Sequence, residues 1–320
     1  MATTMQTSNS SSPVSSSSSF APTPLAVERR FPLDLRRSIV SIRELYETGK
    51  QQRWVPERDI DWQQLAAAQL PAQVREAAQR VWSRRAWIEY TGLAETPALL
   101  IRFCLELDRE SDPKYFLTVR NTEEAWHVEC FHRYAKAMGG YHARPADPAW
   151  EPVLNRTLYR DALNAMRSLD AYVAVHCAVE DGLELALYRL YAGNAREPVA
   201  ASILQKVLAA KERHAAFGWL YLEERASRMD AALRQDVVSQ IAAWLQGVAF
   251  AGYHIPSLAT DIDARADAAD ATLVGEAALG APTPEREQQA FVDYLVNARA
   301  RLAQLGLELP PLRHPVLGSL

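Results

Sequence analysis

The sequence predicts an all-α protein, a four-helix bundle with additional helices at its N- and C-terminal ends. Three observations predict it. From Leu33 onward Ala, Leu, Arg, Glu and Gln dominate, and the β-branched alternation of strands is scarce. Apolar residues recur at spacings of three and four over stretches far longer than a strand. Gly and Pro fall at the edges of those stretches, where helices end and begin.

Taken in order, residues 1–30 are a Ser, Thr and Pro run with too little apolar surface to offset the entropy of ordering, and they predict a disordered tail. The tail has neither the charged start nor the apolar stretch of a secretory signal. One helical domain over residues 31–320 follows. A first accessory helix covers 33–49, with Gly49 near its end. The bundle core spans about 75–225. Its first long helix starts near Pro71, a good first-turn residue, and Pro97 should kink or break it. The second runs from Asp112 and is closed by Gly139 and Gly140. The third and fourth lie in "NRTLYRDALNAMRSLDAYVAVHCAVEDGLELALYRLYAG" and "EPVAASILQKVLAAKERHAAFGWLYLEERAS". Two more accessory helices are expected at 229–253 and 283–306, the latter with Thr283 as N-cap and Pro284 in its first turn. The stretch from His254 to Pro282 predicts a surface loop.

Composition excludes several classes. The 35 basic and 39 acidic residues are intermixed, so no basic stripe is available to neutralise phosphates, and a nucleic-acid partner is not expected. No apolar run reaches the ~18 residues of a membrane span, so no membrane partner is expected. Three scattered cysteines, Cys104, Cys130 and Cys177, predict a reducing, cytoplasmic setting rather than a disulfide framework.

Polar residues then interrupt the four inward stripes. The first stripe runs Ile88, Gly92, Glu95, Leu99, Phe103, and the second Leu117, Arg120, Glu124, His127, Phe131, Tyr134, Met138. The third runs Met166, Leu169, Val173, His176, Glu180, Leu183, Leu187, and the fourth Leu204, Val207, Lys211, His214, Gly218, Tyr221. Each carries ionisable residues at mid-helix. A buried charge is costly unless paired or metal-bound, so four at matching depth are expected to face one another. Glu124 and His127, three apart, project from one face and can grip one metal pair. The pattern is cheap: Glu129 and His132 repeat it on the same helix, facing elsewhere.

Glu95, the Glu124-Ala-Trp-His127 run, Glu180 and the Lys211-Glu-Arg-His214 run together resemble the ferritin-like di-iron carboxylate superfamily, which includes bacterial oxygenases and N-oxygenases. The resemblance covers residues 75–225. It implies a ferritin-like bundle with Glu95, Glu124, His127, Glu180 and His214 as metal ligands, and His176 beside them. It implies iron, manganese or a mixture, and a dioxygen-dependent oxidation of a small organic substrate with electrons from a separate reductase.

Lys211 departs from that pattern, standing where the superfamily has a glutamate. Three carboxylates and an ammonium balance one divalent ion, or none, better than two. Four readings follow. The ammonium sits in place of a metal and pairs with Glu95, Glu124 or Glu180, as in metal-free relatives known in the ribonucleotide reductase small-subunit group. Alternatively Glu184 and His176 line the cavity and replace the missing ligand, or a π-bulge turns Glu212 inward. A third reading makes Lys211 a neutral amine acting as ligand, base or nucleophile. In the fourth the site has decayed and the bundle is a scaffold. Lys211, Glu184 and Tyr134 are the candidate catalytic residues. The functional alternative to an oxygenase is a metal-free or single-metal bundle with a binding role. Trp244 and Phe250 on the late helix pack either on the bundle or on a second copy of the chain, which would make a homodimer.

Overall fold

The computed structural model describes residues 38–106, 108–156 and 159–320, so the predicted tail over 1–30 lies outside the described residues. Helix α1 is Val40–Gln51 and the short α2 is Pro56–Asp59; α3 is Ala72–Tyr90, α4 Gly92–Leu105 and α5 Asp112–Ala137. Short helices α6 (Trp150–Leu154), α7 (Tyr159–Ala162) and α8 (Leu169–Tyr172) follow. Helix α8 runs without a break through a π-helical segment, Val173–Glu180, into α9, Asp181–Asn194. Then come α10 (Pro198–Ala226), α11 (Ala231–Trp244, ending in a π turn over Leu245–Ala249), α12 (Arg265–Glu276) and α13 (Pro284–Gln304). A two-stranded hairpin, Arg313–His314 with Gly318–Ser319, is the only sheet among the described residues.

The fold is all-α, as the sequence predicts. Helices α3 and α4 pack along α5, the π segment and α9 pack along α10, and α5 meets α10. That is the four-helix core, with α1, α11, α12 and α13 around it. Trp82, Phe131 and Tyr134 anchor a large apolar cluster, and Phe103, Phe116, Phe217 and Tyr221 a second one. All seven are essentially fully buried, and each such side chain contributes roughly 1.5–3 kcal/mol of burial.

The differences from the sequence reading have local causes. The first long helix is interrupted at Thr91, whose hydroxyl turns back to the Ile88 carbonyl, while Pro97 is accommodated inside α4. The residues from His254 to Pro282 are not one surface loop: α12 lies within them, and His254 is buried. The third predicted helix is broken, and Met166, placed on its inward stripe, is exposed between α7 and α8. The π segment arises after Tyr172, not near Glu212, which is half exposed and faces Arg189. A π turn strands backbone carbonyls. Here the Tyr294 hydroxyl from α13 donates to the carbonyls of Ala178 and Val179, 3.2 and 2.8 Å away. Gly218 on α10 lets the segment approach closely, since a Cβ there would lie 1.9 Å from the Cys177 carbonyl carbon.

Candidate functional site

Lys211 stands at the middle of α10 and is buried. Its Nζ donates to Glu184 Oε2 at 2.5 Å and lies 2.8 Å from Glu89 Oε1. Burial alone would strip its proton, but Glu184 and Glu89 outweigh that and hold it well above its ordinary value. It is therefore an ammonium and not a neutral nucleophile. Burial would likewise raise Glu89, yet Lys211 and His127 pull it far below the usual carboxylate range.

Each predicted ligand but Glu95 has a partner of its own. His127 Nδ1 is 3.0 Å from Glu89 Oε1, so the ionised carboxylate accepts and the ring donates. Glu124 takes Arg120 Nε at 2.9 Å and the Thr96 hydroxyl at 2.9 Å on one oxygen. Its close neighbour is Gly92, where a Cβ would lie 2.7 Å from the Glu124 carboxyl carbon, so the start of α4 must be bare to admit it. Glu180 is gripped by both terminal nitrogens of Arg156, at 2.6 and 3.1 Å, and by His176 at 2.7 Å and His254 at 2.9 Å. Burial works to raise it, but Arg156 and the two imidazoles push it well down. Arg120 also forks onto Asp181 at 2.5 and 3.0 Å. Burial nevertheless drives Asp181 up to about 7, with Arg120 opposing and Glu184 adding to the rise. Glu95 is the exception. It has no ion pair among the described residues, one oxygen has no partner, and burial raises it above the ordinary carboxylate value, with Arg156 opposing and Glu180 adding to the rise.

His214 is buried among Arg120, Lys211, His127 and Arg213, and burial followed by those charges keeps it neutral. Its Nε2 lies 2.9 Å from Glu123, which Arg213 also holds. The ring therefore donates from Nε2, leaving Nδ1 a bare lone pair with no partner. His127 Nε2 also has no hydrogen-bond partner among the described residues.

A small cavity of about 40 Å³ lies here, lined by Glu95, Glu124, Glu180, Glu184 and Lys211, with Tyr172 and Tyr253 among its walls. It has room for a few waters and not for an organic molecule. A separate cleft of about 740 Å³ shares two wall residues with it, Ile88 and His254. Tyr134 is elsewhere: it stacks on Trp82 and donates to Glu197 at 3.2 Å. Sequence reasoning missed Glu89, Glu123, Arg156, Asp181 and His254. Glu89 lies three residues before Gly92 and could have been found on the same stripe. Arg156 and His254 come from segments without helical periodicity, and nothing in the sequence marks them.

Does this arrangement fit two metal ions? Each imidazole, with a carboxylate on one nitrogen and the other bare, is in the state a metal-ligating histidine takes. Ligation also needs several donors around one point. Among the described residues no group of three or more His, Cys, Asp or Glu is placed to hold an ion. The carboxylates that would do so are occupied by Lys211, Arg120, Arg156 and Arg213. As arranged, the residues do not fit a di-metal centre.

No protein-family model matches the chain, and no curated protein matches its sequence. Solved structures do match. An R2-like ligand-binding oxidase with a Mn/Fe cofactor superposes with a TM-score of 0.63 at 16% identity, covering 81% of this chain and 92% of that one. A variant of such an oxidase with an Fe/Fe cofactor gives 0.61 at 17% identity, covering 81% and 92%. A protein with aldehyde deformylating oxidase activity from Synechococcus gives 0.51 at 17% identity, covering 74% and 93%. The two R2-like oxidases carry the iron, or mixed manganese and iron, that the sequence resemblance implies. Across four-fifths of its length, then, the chain has the fold of the ferritin-like di-metal oxidases.

Proposed function

We propose that this protein binds a small organic molecule on the oxidase fold, with the Lys211 ammonium standing in its centre where that fold otherwise seats a metal ion. One observation carries the reading: Nζ bridges Glu89 and Glu184, at 2.8 and 2.5 Å, in a fully buried ion-pair network. The inner cavity is too small for an organic molecule, so the ligand belongs in the outer cleft, whose volume of about 740 Å³ is in the range of ligand sites. That several structural neighbours are ligand-binding oxidases supports the reading. The buried thiols of Cys130 and Cys177 suit a reducing, cytoplasmic setting.

A second reading is a dioxygen-dependent oxidoreductase that acts on the same ligand with iron or manganese and an electron-donating reductase. The bare nitrogens of His127 and His214 favour it, because both rings are already oriented by carboxylates. It requires Lys211 and the arginines to give up their carboxylates.

Elemental analysis and oxygen uptake separate the two, on protein grown with iron and manganese and on a Lys211→Glu variant. The first reading expects no stoichiometric metal and no uptake in the natural protein, and metal uptake in the variant. Two ions per chain with oxygen consumption in the natural protein would sink it and establish the second.

A further inference from the structure

The outer cleft is lined by a buried guanidinium, Arg85, that has no carboxylate at ion-pairing distance among the described residues. Helix α3 places Arg80, Arg84 and Arg85 along its wall. Arg80 forks onto Asp270 at 2.6 and 2.7 Å. Arg84 has Asp267 at 4.0 Å, donates to the Gly252 and Tyr253 carbonyls, and lies over the Trp150 ring. Arg85 has no ion pair among the described residues. It donates from Nη2 to the Gly280 carbonyl at 2.5 Å and lies between the rings of Trp82 and Tyr191, at 4.8 and 4.5 Å. Its Nη1 has no hydrogen-bond partner among the described residues, and the residue is only 7% exposed. Glu287, which lines the same cleft, is engaged by the Tyr191 hydroxyl at 3.1 Å. Burial raises that carboxyl to about 7, with Tyr191, Arg85 and Arg84 opposing, which leaves it a weak counter-ion.

A buried guanidinium without an anion is costly, and natural proteins seldom leave one so unless something binds it. The cleft also has an apolar and aromatic part to its lining, with Val81, Trp87, Pro145, Trp150 and Ala266. We infer that the outer cleft takes an organic monoanion, its acidic head on Arg85 and its apolar body against these walls. One negative charge is specified, because the other arginines of the cleft already face acids: Arg80 Asp270, Arg84 Asp267 and Arg144 Glu151. The inference rests on the binding reading above and adds the ligand's charge to it.

Calorimetric titration of the full chain with naphthoate and with naphthamide, an uncharged molecule of the same shape, tests it. The acid is expected to bind at least about tenfold tighter than the amide, the scale of one charge-assisted hydrogen bond. Arg85→Gln should bind the two alike, and Arg85→Lys, which keeps the charge and loses the fork, should retain part of the preference. Equal binding of acid and amide by the natural protein would overturn the inference and leave the binding reading standing. A preference that survives in Arg85→Gln would place the anion elsewhere and overturn it too. Binding of neither molecule would remove both. The comparison within the natural protein needs no variant, so a misfolded Arg85→Gln leaves it decisive.

Discussion

The inner centre and the outer cleft share the wall formed by Ile88 and His254, and both are rich in buried charge. In the centre each cation has carboxylates within hydrogen-bonding distance: Lys211 has two, Arg120 has Glu124 and Asp181, and Arg156 has Glu180. In the cleft Arg85 has only a carbonyl and two aromatic rings. The centre is nearly filled, at about 40 Å³ of free volume, and the cleft is open, at about 740 Å³. Buried charge thus serves two ends in one molecule. Saturated with partners it ties helices together, and left short of one it waits for a ligand.

The largest expected effect breaks the saturated side. Lys211→Met leaves Glu89 and Glu184 buried without their cation and should cost about 3–5 kcal/mol in denaturant melts at neutral pH. The sign with pH follows from Glu89, whose depressed value contributes stability that is present above the unfolded carboxylate value and lost as pH falls below it. The gap between natural protein and variant should therefore narrow in acid. A gap that stays constant down to about pH 4 would show that Lys211 contributes packing and not charge.

Next in size is the seam on which the centre is built. Gly218→Ala forces a methyl into the Cys177 backbone and should cost about 3 kcal/mol by overpacking, read as a lower denaturant midpoint. Tolerance of that methyl would mean that α10 and the π segment are not in close contact.

The smallest effect is on the open side and has the opposite sign. Glu287 titrates near 7 in the fold, so ionising it costs stability as pH rises from the ordinary carboxylate value to about 7, and the cost persists above. Glu287→Gln keeps an acceptor for Tyr191 and should raise stability by about 1–3 kcal/mol at alkaline pH and by little in acid. No gain at alkaline pH would mean that an ionised Glu287 already balances Arg85, and the contrast between the two regions would vanish.

The fold was largely legible because α5 and α10 are long, 26 and 29 residues, and their buried residues recur at spacings of three and four, which carries His127, Lys211 and His214 into the core. Helix α12 was hidden by its composition: it is Ala- and Asp-rich, and only Asp270 and Val274 are buried, so it shows no apolar stripe. It is held partly by the Arg80–Asp270 pair, which no local pattern announces. That Lys211 would pair with glutamates could be argued from its charge, but not that they would be Glu89 and Glu184. Partner choice depends on the break at Thr91 and on loops that bring in Arg156 and His254, and these are properties of the assembled chain.

The π segment over Val173–Glu180 has a consequence for how such a centre can change. A π turn is an α-helix with one residue too many. Deleting a single residue there would restore α-helical winding inside the segment while α9 keeps its face, because the wide turn had absorbed that residue. Residues within the segment, His176 and Glu180 among them, would shift by up to about 100° according to which side of the deletion they lie, while Asp181 and Glu184 hold their places before Arg120 and Lys211. Which base Glu180 answers is in this protein a matter of reading frame along a helix, and a lineage could rewire that contact by an insertion or deletion that leaves every charged residue in place.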